Sequence, residues 1–264
     1  MSRRDQGLLL LLTGLVAVRL VVEGTYDTYV RTGMRIPLLL ASAVLIALGV
    51  TTAFRGALAA DRRAAGRDEP PGPGTSGHRH DDDLDHDHRG GDAHEHRPWV
   101  GWLLALPLAV LVTVAPPALG ADAAGRQAAY APQIEGTAFP ALPEPVDGAV
   151  ELRLGSFVDR ALWDAGDSLA GTPVRLTGFV VHDDAVDGGF LLTRFRIACC
   201  AADAVPVQVA VLDAAVVPDE DEWVEVTGEL VDPPDFDPQA ADLPRVDLTA
   251  TSILPTSEPA SPYE

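Results

Sequence analysis

Three apolar blocks before residue 120, five short β-patterned segments between residues 174 and 254, and glycines inside two of those segments predict a two-part fold. The N-terminal region reads as membrane α-helical, with three transmembrane helices. The C-terminal region reads as a small all-β domain, an OB-like five-stranded barrel, with a β-sandwich as the runner-up.

The first block, "GLLLLLTGLVAVRLVV" (Gly7 to Val22), is short against the roughly 20 residues that cross about 30 Å of hydrocarbon, and its Arg19 is placed to snorkel toward an interface. A signal peptide led by Arg3 and Arg4 is the alternative, although no A-x-A cleavage pattern follows. "IPLLLASAVLIALGVTTAF" (Ile36 to Phe54) and "WVGWLLALPLAVLVTVAPPALG" (Trp99 to Gly120) are uncharged and long enough to span. Trp99 and Trp102 fit an interfacial aromatic belt, Pro107 predicts a kink, and Pro116 and Pro117 end the third helix.

Arginine placement sets the expected orientation, because positively charged flanks stay cytoplasmic. Arg3 and Arg4 precede the first span, and Arg55, Arg62, Arg63 and Arg67 follow the second. Only Arg31 and Arg35 lie in the intervening loop, and Arg126 alone closely follows the third span. The N-terminus is therefore expected in the cytoplasm and residues 121 onward outside, in a multi-pass cell-membrane protein with the lipid bilayer as its first partner.

Six of seven histidines, His78, His80, His86, His88, His94 and His96, form three H-x-H pairs among carboxylates between the second and third spans. The Pro/Gly-rich approach "RDEPPGPGTSG" cannot build a core, so residues 55–98 are expected to be a disordered cytoplasmic loop. Imidazoles beside carboxylates suit Zn, Ni, Co or Cu at several loose sites. A solvated spacer is the plain alternative.

Residues 121–150 carry four prolines and no sustained period, and read as a linker. In "SFVDRALWDAGDSLAG", Ser156 with Asp159 three positions on suggests the start of a short helix. Strands are then expected at Val174 to His182, Gly189 to Ala198, Val205 to Leu212, Trp223 to Leu230 and Val246 to Leu254, with a hairpin turn at "VDGG". The outer domain so bounded is 151–254, followed by a disordered tail, 255–264. The acidic run Asp219 to Glu222 reads as a solvated turn.

A net charge of −20 disfavours nucleic acid, whose affinity depends on basic residues displacing counterions. All nineteen basic residues are arginine. The only cysteines, Cys199 and Cys200, are adjacent in "RFRIACCAADAVPVQV". In a regular strand their side chains would point to opposite faces, so the sulfurs converge only if the backbone turns there, and "AADAVP" offers such a turn. A disulfide between neighbours is strained, since adjacent Cα atoms lie about 3.8 Å apart against the usual 4.4 to 6.8 Å. As metal ligands they would be joined by Asp203 and by His182, the one histidine of the domain, in a set that zinc tolerates. The remaining readings are two small buried side chains or a thiol redox pair.

The segments "GTPVRLTGFVV", "RFRIACCAADAVPVQV" and "DEWVEVTGEL", in this order behind the spans, the histidine-rich loop and "GWLLALPLAVLVTVAPPALG", resemble the YcgQ-like permease-subunit family of bacterial membrane proteins. The resemblance covers nearly the whole chain apart from the loop and "PTSEPASPYE". It implies a non-enzymatic accessory subunit beside a larger multi-spanning permease, and links in some members to zinc-responsive regulation fit the histidines. Many members have two spans before the outer domain; a third changes the side on which that domain lies. An extracytoplasmic thiol redox protein and a passive envelope interaction module are the competing functions.

Overall fold

The computed structural model describes residues 3–65, 103, 105–114, 117–126, 139–164, 167–233 and 245–264. The chain divides into two compact units, one of Met1–Glu23 with Ile36–Pro116 and one of Gly24–Arg35 with Pro117–Glu264.

The first unit is helical. Helix α1 is Arg3–Glu23, α2 is Arg35–Ala65 and α3 is Ala105–Val114. Two segments, Arg4–Glu23 and Thr32–Leu58, are long and apolar enough to cross a membrane. Their large side chains face outward: Leu15, Ile36, Leu40, Val44 and Phe54 are all exposed. Such helices suggest membrane association, because lipid rather than protein would cover these faces. Glycine lets α1 and α2 approach closely. A Cβ at Gly49 would stand 2.8 Å from the Leu11 amide nitrogen, and one at Gly7 only 2.6 Å from that of Ala53. Arg19 pairs with Glu23 at 2.8 Å, one turn along α1. Of the block expected as a third span, the ten residues of α3, Pro107 among them, are described as helix. The histidines from His78 to His96 lie outside the described residues.

The second unit is built on a closed five-stranded barrel. A two-residue strand, β1 (Val150–Glu151), runs parallel to β2 (Val174–Val181). β2 pairs antiparallel with β3 (Phe190–Arg196), which pairs antiparallel with β4 (Val205–Leu212). β6 (Asp247–Pro255) lies between β4, to which it is parallel, and β5 (Trp223–Leu230), to which it is antiparallel. The antiparallel pairing of β5 with β2 closes the ring. The expected strand positions are met within one or two residues, and closure decides against the sandwich.

Gly228 supplies the sharp bend that closure needs. The β5–β6 register shifts at Thr227/Gly228, and a Cβ on Gly228 would sit 2.3 Å from the Thr249 carbonyl oxygen. Inward-facing Leu176, Leu192, Val209, Val224, Val226 and Leu248 fill the interior.

Helix α5 (Leu154–Trp163) caps this core with Leu154, Phe157, Val158, Ala161 and Leu162, the i, i+3, i+4 stripe of an amphipathic helix. It begins two residues before Ser156, so the expected Ser156 cap is not formed. Its first two amides, Leu154 and Gly155, instead donate to the Glu264 carboxylate at 2.8 and 2.7 Å. Asp159 is buried and accepts from Arg196 at 3.0 Å.

Of residues 255–264, expected as a disordered tail, Pro255 ends β6 and the last two, Tyr263 and Glu264, run beside β3. Glu264 donates its amide to Phe195 O (2.9 Å) and accepts from Ile197 N (3.2 Å), and Tyr263 is buried. Tyr263 joins Phe179, Val181, Phe195, Ile197 and Ala204 in a second cluster, against which Ala121 and Ala124 of the short helix α4 (Ala121–Ala124) pack. The acidic turn also has structural work: Asp221 accepts from the Ala121 amide, and Glu222 from that of Asp219.

Candidate functional site

β3 ends at Arg196, and the chain turns through Ala198–Cys200 into a single 3₁₀ turn, Ala201–Asp203, before β4 starts at Val205. The turn is organised by one carboxylate. Asp203 accepts from the amides of Ala198 (2.8 Å), Cys199 (3.0 Å) and Cys200 (3.1 Å), three consecutive donors converging on one anion. Its own amide donates to the Cys200 sulfur in a reciprocal capping box. Below the turn, Ile197 and Ala204 are buried and fix both ends.

This backbone path defeats the strand alternation that would separate neighbouring side chains. The Sγ atoms of Cys199 and Cys200 stand 3.7 Å apart, and the Cys199 thiol donates to Oδ2 of Asp203 at 2.7 Å. Both cysteines are free; Cys199 is exposed and Cys200 half-buried. One ligand atom from each of Cys199, Cys200 and Asp203 lies within 4.8 Å of the others. For zinc, with Zn–S near 2.3 Å, two sulfurs on a tetrahedron are about 3.8 Å apart, so the thiol pair already spans one edge.

The carboxylate and thiol shift each other in opposite directions. The hydrogen bond from Cys199 and the three amides hold Asp203 down at about 2. The same bond, followed by the Cys200 thiol, pushes Cys199 up to about 11. A negative neighbour disfavours the thiolate that thiol exchange requires, yet that charge also attracts a cation. An open hollow of about 520 Å³ adjoins Asp203 and is lined by Arg31, Arg153 and Arg196, among others.

His182 is not brought to this cluster. The β2–β3 register pairs Val181 with Leu191, leaving His182 at the hairpin end of the barrel while Cys199 lies nine positions past Phe190. β3 itself, Phe190–Arg196, separates the two ends by roughly 20 Å at about 3.3 Å per residue. His182 instead contacts the β4–β5 loop, its Nε2 2.9 Å from the Pro218 carbonyl oxygen and its Nδ1 3.2 Å from Glu220.

Sequence reasoning did not find the segment that clamps the turn from outside. Arg31 N donates to Cys199 O (3.1 Å), Ala201 N donates to Tyr29 O (2.8 Å), and Val30 bridges antiparallel to Cys200.

Two apolar N-terminal helices and a closed five-stranded barrel bearing a Cys-Cys-x-x-Asp turn define the class to which this chain is to be compared. Residues 160–264 match the family model of the DUF1980 C-terminal domain, a span that takes in all five barrel strands, both cysteines and Asp203. Neither the curated proteins nor the solved structures contain a match to the chain.

Proposed function

We propose that the protein is a membrane-anchored accessory subunit that works beside a larger multi-spanning permease and holds a transition metal, Zn²⁺ by preference, at Cys199, Cys200 and Asp203. The observation that carries this reading is the convergence of those three ligand atoms on one exposed turn. Binding replaces the two thiol protons, which are released, and the Asp203 carboxylate becomes the third ligand as its bond from the Cys199 thiol disappears. The raised Cys199 pKa counts against thiol exchange, which requires the thiolate.

Three crossings agree with the contacts inside the second unit. Gly24–Arg35, which joins the two apolar helices, packs with Pro117–Glu264, which supports a reading with both on one side of the bilayer. If α1 and α2 each cross, α2 leaves that side and the chain must cross once more before residue 117. The arginine asymmetry supports reading that side as extracytoplasmic. Three spans are few for a transport path built from paired repeats, which is the argument for a permease partner, and the YcgQ-like resemblance points the same way. The histidine loop would then offer loose cation sites across the membrane from the barrel.

The test is the metal content of the full chain purified in detergent, beside a Cys199→Ser/Cys200→Ser variant. One zinc lost with the cysteines is expected. Equal zinc in both proteins would remove the site, and full complementation by the variant would favour a passive envelope module.

A further inference from the structure

The segment joining the two apolar helices is bound at the cysteine turn through a backbone group of the candidate ligand Cys199 and through that of Ala201, which follows Cys200. Two hydrogen bonds bracket the pair: Cys199 offers its carbonyl to Arg31, and Ala201, immediately after Cys200, donates its amide to Tyr29. Between them Val30 pairs with Cys200. The rest of the segment is tied to the tail, where the Tyr263 hydroxyl donates to Thr28 O at 2.9 Å and Thr32 Oγ1 lies 3.3 Å from Ser261 Oγ. Val30–Cys200 is thus a one-pair ladder in which one partner would also coordinate the ion.

From this we infer that the Tyr29–Arg31 segment is the effector arm of the metal site, docking of the segment and binding of the cation being positively coupled. The inference rests on the metal reading above. An ion that ties the side chains of residues 199, 200 and 203 into one unit restricts the turn that presents the Cys199 carbonyl and the Ala201 amide. Ordering that the cation has already imposed need not be imposed again by the docking segment, which is cooperativity carried by conformational entropy. Linkage makes the effect reciprocal: whatever factor the cation contributes to docking, docking contributes to cation affinity.

Arg31 permits a clean test. Its backbone, φ −58° and ψ 139°, already has the conformation of proline, so Arg31→Pro removes the amide donor with little demand on the fold. Arg31→Ala removes the side chain and keeps the amide. Zn²⁺ is titrated against a chelator on the full chain in detergent, and the site is taken as the component lost in Cys199→Ser/Cys200→Ser. Arg31→Pro is expected to bind at least about fivefold more weakly than Arg31→Ala, the lower end of ordinary coupling. In the wild type, Zn²⁺ is expected to slow hydrogen exchange at the Ala201 amide. A cysteine-dependent component of equal affinity in both Arg31 variants, with Ala201 exchange indifferent to Zn²⁺, overturns the coupling and leaves the metal site standing. Absence of any such component in the wild type overturns both. Exchange across β2–β6 shows whether Arg31→Pro retains the barrel; if it does not, the Ala201 measurement on the wild type decides alone.

Discussion

The Cys199 thiol donates a 2.7 Å hydrogen bond to Oδ2 of Asp203, four residues along the chain. That bond, on a carboxylate already held by three amides, makes the exposed Cys199 a poor nucleophile. With its pKa pushed up to about 11, about one Cys199 in a thousand is thiolate at pH 8, against about one in ten for an ordinary thiol. Asp203→Asn keeps an acceptor for the amides and removes the charge. Iodoacetamide should therefore modify Cys199 about tenfold faster or more in that variant. An unchanged rate would mean that the carboxylate does not control the thiol.

The opposed shifts also set the pH range over which the turn is firm. Asp203 lies below its ordinary value, so its contribution is complete above about pH 4 and is lost as pH falls through about 2. Cys199 lies above its ordinary value of 9.0, so its contribution is complete below about pH 9 and is lost as pH rises through about 11. Hydrogen exchange at Ala198, Cys199 and Cys200, corrected for intrinsic rates, should show a plateau of protection between these limits. Protection that falls steadily from pH 5 to pH 8 would contradict the assignment.

Glu264 places a carboxylate on the first two amides of α5, the position at which a helix N-terminus favours negative charge. Glu264→Ala should lower barrel stability by about 1 kcal/mol, in the range of a lost N-terminal cap. Glu264→Gln, which still accepts hydrogen bonds, should lose less. Urea unfolding followed by tryptophan fluorescence makes the comparison; equal losses would show that the cap contributes no charge effect.

The barrel strands were readable because each is a short β-branched run bounded by Asp, Gly or Pro, and because closure demanded the glycine at 228. The turn at the cysteines was readable from the residues after them. His182 was misassigned to the ligand set although the hairpin at "VDGG" already fixes the β2–β3 register and leaves it far from Cys199. The tail was hidden for a different reason. "PTSEPASPYE" has the composition of an unfolded segment, and what ties it down, besides Arg194 donating to the Ser261 carbonyl, is Tyr263, through burial, and Glu264, through the start of α5. Neither partner is near in sequence. The pairing of Val30 with Cys200 likewise spans 170 positions, and a single bridge leaves no periodic trace.

Zinc K-edge X-ray absorption on the zinc-loaded full chain tests the central claim most directly. A shell of two sulfurs at about 2.3 Å with oxygen or nitrogen at about 2.0 to 2.2 Å is the expected result, the sulfur shell disappearing in Cys199→Ser/Cys200→Ser. A first shell of nitrogen and oxygen alone in the wild type would place the metal away from Cys199 and Cys200 and contradict the account.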